Sequence, residues 1–600
     1  MGSARRGRLP WGLLPLALLV LVVGALPFFT ALRDSFYHDL YGARSYAGFD
    51  NYRFLLGDKA FFLSGGITLA WATLEAILAT GLGWGLALLL YESKRTGGLV
   101  YAALLVPWAV PAFIAVPLWR MLIHGAGGES VLSALFGLRV NLLTDPGGGF
   151  VSALLVGAWM NAPGAVFVLY GALRKLPRAV IEAARLDGAG SAALSRLLYA
   201  PLVRSSVIAV FALEFVKAFK EFQVPFLLTA GGPPMIAGIT ERAVVGATTT
   251  LEIYLYDLFQ GAEDYGLAAA YAAVAGAFVV LLTLLAFLTG RYAAKQAARQ
   301  EVAGSKRSGP PRPGRFSARN RAPARVEDGL ALVWRRFLGA VIVLSAALLV
   351  FALVRTAISG LSSTYVASIM PPFPTLDNFP AVFREDGAGR AFANTLAVSL
   401  VTAAIAPLLV LPAALRLRRS GPGLRAAVFA ALQALGSAGG MHSLVPLYAL
   451  FRGIGLVDSY VPVVIVYLFH AAPFALFTTT AFLESLPPSL EESAALEGAG
   501  PWQTLSRIVL PLCLPVLATS AMTAFLAAWN GFLVPLLFLN DDAKYTIGIR
   551  LYSYVGGVAS GAPRWNRFAA ASLVNLAVVG LVLARLKGPL SRAPTAESEQ

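Results

Sequence analysis

The 600-residue sequence is 57% hydrophobic and 13% charged, with mean hydropathy +0.70, which excludes an ordinary soluble domain and a disordered chain alike. Its net charge of +16 would suit nucleic acid, but that partner is a poor default if the basic residues are sorted into loops between apolar runs. A single cysteine, Cys513, excludes an intrachain disulfide and reads as a small core residue at the start of an apolar run.

The chain opens with MGSARRGR followed by LLPLALLVLVVGALPFFTAL. That run is longer than a signal-peptide core and no small-residue cleavage site follows it, so it reads as an uncleaved first span. Further apolar runs fall at about 65–91, 101–121, 151–171, 202–228 and 267–290, then at about 336–357, 391–415, 426–448, 460–480, 511–531 and 563–585. Most approach the ~20 residues that cross roughly 30 Å of hydrocarbon. The expectation is an all-α polytopic membrane protein with about 12 transmembrane helices in two series of six.

Charge placement orients them. Arg5, Arg6 and Arg8 precede the first span, and Lys94 and Arg95 follow the second. Arg174, Lys175, Arg178, Arg185 and Arg196 follow the fourth; Arg416, Arg418, Arg419 and Arg425 follow the eighth. If cytoplasmic loops collect Lys and Arg, every even loop and both termini are cytoplasmic.

Between the two series, residues 291–335 are rich in Arg, Gly, Pro and Ser, with few large apolar side chains. They read as a basic cytoplasmic linker without a core of its own, suited to a surface of anionic membrane lipids. The domain expectation is therefore a first half at 1–290 (core 65–290), the linker at 291–335, and a second half at 336–600 (core 391–585). Six spans with both ends inside can be duplicated without inversion, so the halves should be parallel repeats.

Each half carries one polar pattern between its fourth and fifth spans. The first copy reads EAARLDGAG at 182–190 and the second ESAALEGAG at 492–500, and Pro201 and Pro511 open the apolar runs that follow. Alanine and the charged residues favour helix, while Gly188 and Gly498 break it, so each copy predicts two short helices joined by a tight turn. One copy could be a generic surface loop. Two copies at the same topological place form a repeated handle, able to carry a push from a soluble partner to the spans on either side.

These segments resemble the EAA loops of type I ABC importer permeases. The resemblance rests on Glu182, Ala183, Ala184, Asp187, Gly188, Ala189 and Pro201, and on Glu492, Ala494, Glu497, Gly498, Ala499, Leu510 and Pro511. Departures are Ala200 at the terminal leucine of the first loop, and Ser493 and Glu497 in the second. GFDNYRFLL, LLTAGGPP, FPTLDNF, FANTLAVSL and AWNGFLVPLLFL are similar to segments of the carbohydrate-uptake, maltose- and trehalose-type branch, with both permease subunits fused in one chain. The resemblance implies the permease fold of that family and no catalytic role for this chain. It also implies two ATP-binding subunits, or a homodimeric ATPase, that hold ATP and Mg, and an extracytoplasmic sugar-binding protein. The location implied is a bacterial or archaeal cell (inner) membrane. The sequence contains no G-x-x-x-x-G-K-[ST] phosphate loop, and this chain is expected to bind no cofactor itself.

Candidate residues on the substrate path carry aromatic faces, amides or charge beside the loops: Trp159, Asn161, Glu214, Lys217, Glu221, Phe222, Gln223, Trp529 and Asn530. Glu214, Lys217 and Glu221 are spaced to share one helical face, where they would border a wet cavity or only pair internally. Both tryptophans could equally serve packing, and interhelical hydrogen bonding is the expectation for Glu75. His442 and His470 make no convincing metal set. A sugar, a glycerol-phosphate-type ester or another polar solute fits this reading, and a span count alone also fits an ion-coupled carrier.

The charge alternation sets a test. With Cys513 replaced, single cysteines at Ser93 and Ser308 should react with an impermeant thiol reagent only from the cytoplasmic side, and one at Pro233 only from outside. Outside labelling at Ser308 would overturn the six-plus-six order.

Overall fold

The computed structural model describes residues 10–591, apart from 41–42, 93–96, 125–136, 138–140, 142–143, 240–243, 262–263, 307–320, 362–370, 372, 437–438 and 557–562. The chain termini, Ser93, Ser308 and the centre of the predicted linker lie outside the described residues.

The first half contains α1 (Leu14–Asp34), α2 (Lys59–Glu92), α3 (Gly97–Ala109), α4 (Ala112–His124), α5 (Pro146–Arg174), α6 (Arg178–Leu186), α7 (Arg204–Phe219), α8 (Gln223–Thr229), α9 (Leu251–Gln260) and α10 (Tyr265–Lys306). The second contains α11 (Arg321–Ala357), α12 (Ala388–Arg418), α13 (Pro422–Gly436), α14 (Met441–Gly453), α15 (Tyr460–Ser485), α16 (Ser489–Leu496), α17 (Leu510–Trp529), α18 (Leu533–Phe538), α19 (Ile547–Val555) and α20 (Trp565–Ser591).

Among the described residues nine helices are long and apolar enough to cross a membrane, or ten if a bent pair counts as one span. The protein is a multi-pass, predominantly helical membrane protein. Every apolar run read from the sequence falls largely on helix, but three are interrupted within their length and the eleventh ends in a break after Trp529. The third bends by 105° between α3 and α4, where Pro111 cannot donate and restricts the residue before it. The fifth breaks between α7 and α8. The ninth is divided into α13 and α14 around Gly439 and Gly440.

Two short hairpins add strands to the helical expectation: β1 (Tyr37–Leu40) with β2 (Ala43–Tyr46), and β3 (Pro234–Ile239) with β4 (Val244–Gly246), both antiparallel. The predicted linker also differs from expectation. Helix α10 runs to Lys306 and α11 begins at Arg321, so the described ends of the linker extend the flanking spans. The alanines, arginines and glutamines of RYAAKQAARQ favour that continuation although they offer no apolar core.

The halves share individual hydrogen bonds. Asn51 donates from Nδ2 to the carbonyls of Ser35 and Tyr37, both at 2.9 Å, and Asn378 does the same to Ala357 and Ser359, both at 2.8 Å. Thr68 Oγ1 accepts from Leu251 N at 2.7 Å, as Thr395 Oγ1 accepts from Ile547 N at 2.8 Å. The asparagines and the threonines are each 327 positions apart, so one local solution to buried backbone polarity occurs in both halves.

The first long helix of each half packs on the other half. Helix α1 lies against α12, α14 and α15, and a Cβ added at Gly12, just before it, would come 2.8 Å from the Pro412 carbonyl oxygen. Helix α11 lies against α2, α3 and α4. There a Cβ at Gly85 would meet Leu338 at 2.6 Å, and one at Gly339 would meet Leu89 at 2.6 Å. Small residues let these backbones approach, which matters in lipid because apolar side chains gain little from leaving it.

The crossed packing predicts that cutting the chain at Pro311 leaves two fragments that co-purify in mild detergent. Separation of fully inserted fragments would contradict it. Within the first half, a Cβ at Gly83 would come 2.5 Å from the Ala165 Cβ and 3.2 Å from the Ala165 backbone carbon, whereas Gly81 has open space. Gly83→Leu should cost about 1–3 kcal/mol and lower the melting temperature of the solubilised protein, while Gly81→Ala should not. Equal melting temperatures would show that α2 and α5 do not pack this closely.

Candidate functional site

The two polar patterns fold into matching hairpins. In the first, α6 buries Ile181 and Ala184 and exposes Glu182, Ala183, Arg185, Leu186 and Asp187. The helix ends when Ala189 N donates to Ala184 O at 2.9 Å and Gly188 N donates to Arg185 O at 3.0 Å. In the second, Ala499 N donates to Ala494 O at 2.9 Å and Gly498 N to Ala495 O at 3.1 Å. Both are Schellman turns, and Gly188 and Gly498 supply the left-handed residue at φ +88° and +83°. The alanine repeat therefore has a local reason: Ala184 and Ala494 tuck under the turn and are buried, while Glu182, Glu492 and Glu497 stay exposed.

Leu186 and Leu496 were missed by the sequence reading. They occupy the last helical position of each copy, 310 residues apart, and are 89% and 90% exposed on otherwise polar hairpins. Pairing the copies residue by residue would have found them.

Beyond each turn the chain passes through one stretch of π-helix, Leu194–Tyr199 in the first half and Leu505–Val509 in the second, into the next span. Those spans break at equivalent places. Helix α7 ends at Phe219 and α8 starts at Gln223; α17 ends at Trp529 and α18 starts at Leu533. Phe222 and Phe532, and Pro225 and Pro535, keep the same 310-residue separation as the hairpins.

The first break corrects the predicted shared face of Glu214, Lys217 and Glu221. Lys217 Nζ pairs with Glu214 at 3.5 Å within α7, but Glu221 lies beyond the end of that helix. Its Oε1 accepts from Gln223 N at 2.8 Å and Val224 N at 3.1 Å, capping α8 instead.

Several other path candidates already have partners. Trp159 Nε1 donates to Ser345 Oγ at 2.8 Å on α11, and Trp529 Nε1 donates to Asn575 Oδ1 at 3.0 Å on α20. Asn161 donates from Nδ2 to Glu75, which fits the interhelical bonding expected of that acid. Gln223 begins α8, and Asn530 leaves its Oδ1 buried without a hydrogen-bond partner among the described residues.

The breaks bring aromatic rings from the two halves together. Phe222 stacks on Phe226 at 4.6 Å between centroids, and Phe226 approaches Tyr552 at 5.6 Å and Phe532 at 6.4 Å. Tyr256 packs edge-on to Phe222 and Phe226 at 5.3 and 5.2 Å. Below the level of any motif, His442 Nδ1 and Glu252 Oε1 lie 2.8 Å apart across the halves, and Met441 N also donates to Glu252. Arg120 donates to Gly556 O at 2.9 Å, tying α4 to the end of α19. Sequence spacing could not reveal such pairs, because their members are some 190 and 436 residues apart. Among the described residues no group of His, Cys, Asp and Glu could hold a metal ion.

Comparison with known proteins gives this geometry a family. The family described as "Binding-protein-dependent transport system inner membrane component" matches the chain twice, at residues 79–297 and 366–587. The trehalose/maltose transport system permease protein MalF of Thermococcus litoralis is 28% identical over 284 residues, which is 47% of this chain and 92% of that protein. The trehalose transport system permease protein SugB of Mycobacterium tuberculosis is 30% identical over 216 residues, 36% of this chain and 78% of that protein. A solved bacterial alginate ABC transporter in complex with an alginate pentasaccharide-bound periplasmic protein has a chain with 19% identity and a TM-score of 0.38 over 48% of this chain. With its domain present twice, the chain belongs to the family of inner-membrane permeases of binding-protein-dependent ABC importers.

Proposed function

We propose that this chain forms the whole translocation path of an ATP-dependent carbohydrate importer, with two six-span halves and both termini on the cytoplasmic side. Separate ATP-binding subunits, which hold ATP and Mg, dock on the two hairpins. An extracytoplasmic sugar-binding protein delivers the substrate. The observation that carries this reading is the paired hairpin: the same Schellman turn, exposed acid and exposed leucine occur once per half. The names of the relatives, which concern trehalose and maltose transport, support a sugar of that class.

The mechanism follows the backbone. An ATPase closing on Glu182, Leu186 and Asp187, and on Glu492, Leu496 and Glu497, displaces two turns that their own hydrogen bonds hold rigid. Each turn continues through its π-helical stretch into α7 or α17, so displacement reaches the breaks at 220–222 and 530–532. There it separates or closes the rings that join the halves. Phe222, Phe226, Phe532 and Tyr552 offer flat faces to a sugar once separated, Gln223 and Asn530 offer donors next to Phe222 and Phe532 in the chain, and Lys217 adds one on α7. A glycerol-phosphate-type substrate remains the second reading, motivated by Lys217 and Lys220 beside this seam.

The test changes the turns. Gly188→Val and Gly498→Val force a β-branched side chain into the left-handed region, at a cost of about 1–2 kcal/mol to the turn, although the chain itself leaves room for a Cβ at both sites. In proteoliposomes with the ATP-binding subunits and binding protein, each should cut radiolabelled trehalose or maltose uptake and substrate-stimulated ATP hydrolysis by at least about tenfold. Glu182→Ala and Glu492→Ala should have smaller effects, because neither acid forms the turn. Sugar binding by the separate binding protein should be untouched. Full coupled transport by both glycine variants, normally inserted, would end the hairpin reading. Uptake driven by an ion gradient without any ATPase would instead favour a secondary carrier.

A further inference from the structure

One set of contacts lies outside both the path and the hairpin turns. Just after the first turn, Ala192 N donates to Asp328 Oδ1 at 2.6 Å, and a Cβ at Gly190 would land on that same carboxylate. One residue earlier, Ser191 Oγ donates to Glu92 Oε2 at 2.8 Å, at the end of α2. Arg335 Nη1 completes the cluster, 2.6 Å from Glu92 Oε2 and 2.9 Å from Ser191 Oγ. Arg335 is almost wholly buried, and an arginine is retained in such a place only when its charge is met. Asp328 and Arg335 lie two turns apart on α11, the helix by which the linker enters the second half. Three segments therefore converge: the first hairpin, the end of α2 and the start of the other half.

The second hairpin is held by different chemistry. Arg418 Nη1 donates to Glu491 Oε1 at 2.6 Å, Arg419 pairs with the other oxygen at 3.3 Å, and Arg418 also reaches Leu486 O at 3.1 Å. These contacts grip the helix before the turn, whereas Asp328 and Arg335 grip the chain after it. Where the first hairpin has Ser191, the second has Pro501, and Gly500 N donates to Gln503 Oε1 at 3.0 Å within the hairpin itself.

We infer that Asp328 and Arg335 are positioning residues for coupling: they latch the first hairpin to α11, so that its displacement moves the leading helix of the second half directly. The inference rests on the coupling role proposed above for the hairpins. It makes the linker's exit a working part of the transporter, and it makes the two ATPase contacts mechanically unequal. The latch holds the hairpin's rear segment by one charge-assisted amide contact, Ala192 N to Asp328, and by the hydrogen bonds of Ser191 Oγ to the buried Arg335–Glu92 ion pair. Losing the first should loosen this hairpin without unfolding the bundle.

Two measurements on the full chain decide the matter. Hydrogen exchange on the protein in nanodiscs, without partners, reads the latch itself. Asp328→Ala should speed exchange in the 189–199 segment by on the order of tenfold and leave the 499–509 segment unchanged, while Asp328→Asn, which keeps an acceptor, should fall between. Unchanged exchange at 189–199, or equal acceleration in both hairpins, would overturn the latch. In proteoliposomes with the ATP-binding subunits and binding protein, Asp328→Ala should lower trehalose moved per ATP hydrolysed at least about threefold, with no loss of ATPase subunit binding and with partial rescue by Asp328→Asn. A normal ratio despite a loosened hairpin would overturn its part in coupling. Failure of the hairpin reading as a whole is distinguishable, because then Gly188→Val would also leave uptake intact.

Discussion

A chain that leaves helical geometry inside hydrocarbon must find partners for its freed backbone groups within the protein. The breaks after Phe219 and Trp529 impose that requirement at the centre of each half, and the halves meet it differently. In the first, the Glu221 carboxylate takes the Gln223 and Val224 amides. In the second, Gly531 stands at the position of Glu221; its amide donates to Ala528 O at 3.3 Å, as that of Glu221 does to Ala218 O at 3.1 Å, but it has no carboxylate to offer α18. The same geometry thus comes with a charge in one half and without it in the other. Once broken, the two halves turn Phe222 and Phe532 off the helical line and into the seam between them. The aromatic contacts, the ends of α8 and α18, and the crossing of Phe226 toward Tyr552 all depend on those two interruptions.

In each half the hairpin and the break lie at the two ends of one continuous stretch of chain. A Schellman turn is rigid because its glycine has a defined conformation and its amides are spoken for. A π-helical stretch carries one extra residue per turn and is a local departure from ideal helix. Each half places the rigid piece at the hairpin, the π-helical piece just beyond it, and the break at the far end of the following helix. In the proposed mechanism, motion at the first is expressed at the last unless the intervening segment bends.

What was legible in the sequence follows from how far apart the responsible residues lie. Both hairpins were readable because the turn is written locally, by Gly188 or Gly498 and the alanines before it. The continuous spans were readable because hydropathy over some twenty residues reports directly on burial in lipid. The broken spans were not, because averaging over such a window hides an interruption of two or three residues. The predicted face shared by Glu214, Lys217 and Glu221 failed for the same reason: the spacing presumed a helix that stops at Phe219. Glu252 and His442 were invisible as a pair because only the tertiary fold brings them together. The basic linker was judged on what it could bury, whereas its described ends simply prolong α10 and α11.

The exchange of leading helices also sets an order of construction. Leu338 and Gly339 fill the flank of α2 beside Gly85 and Leu89, yet they are translated only after the entire first half has emerged. The first half must leave the insertion machinery with that flank open to lipid, and α1 must wait longer still for α12, α14 and α15. In two separate polypeptides each nascent half would have to find a stranger to close it. Joined through residues 307–320, each finds its complement on the same ribosome, in fixed one-to-one proportion and at the high local concentration a tether provides.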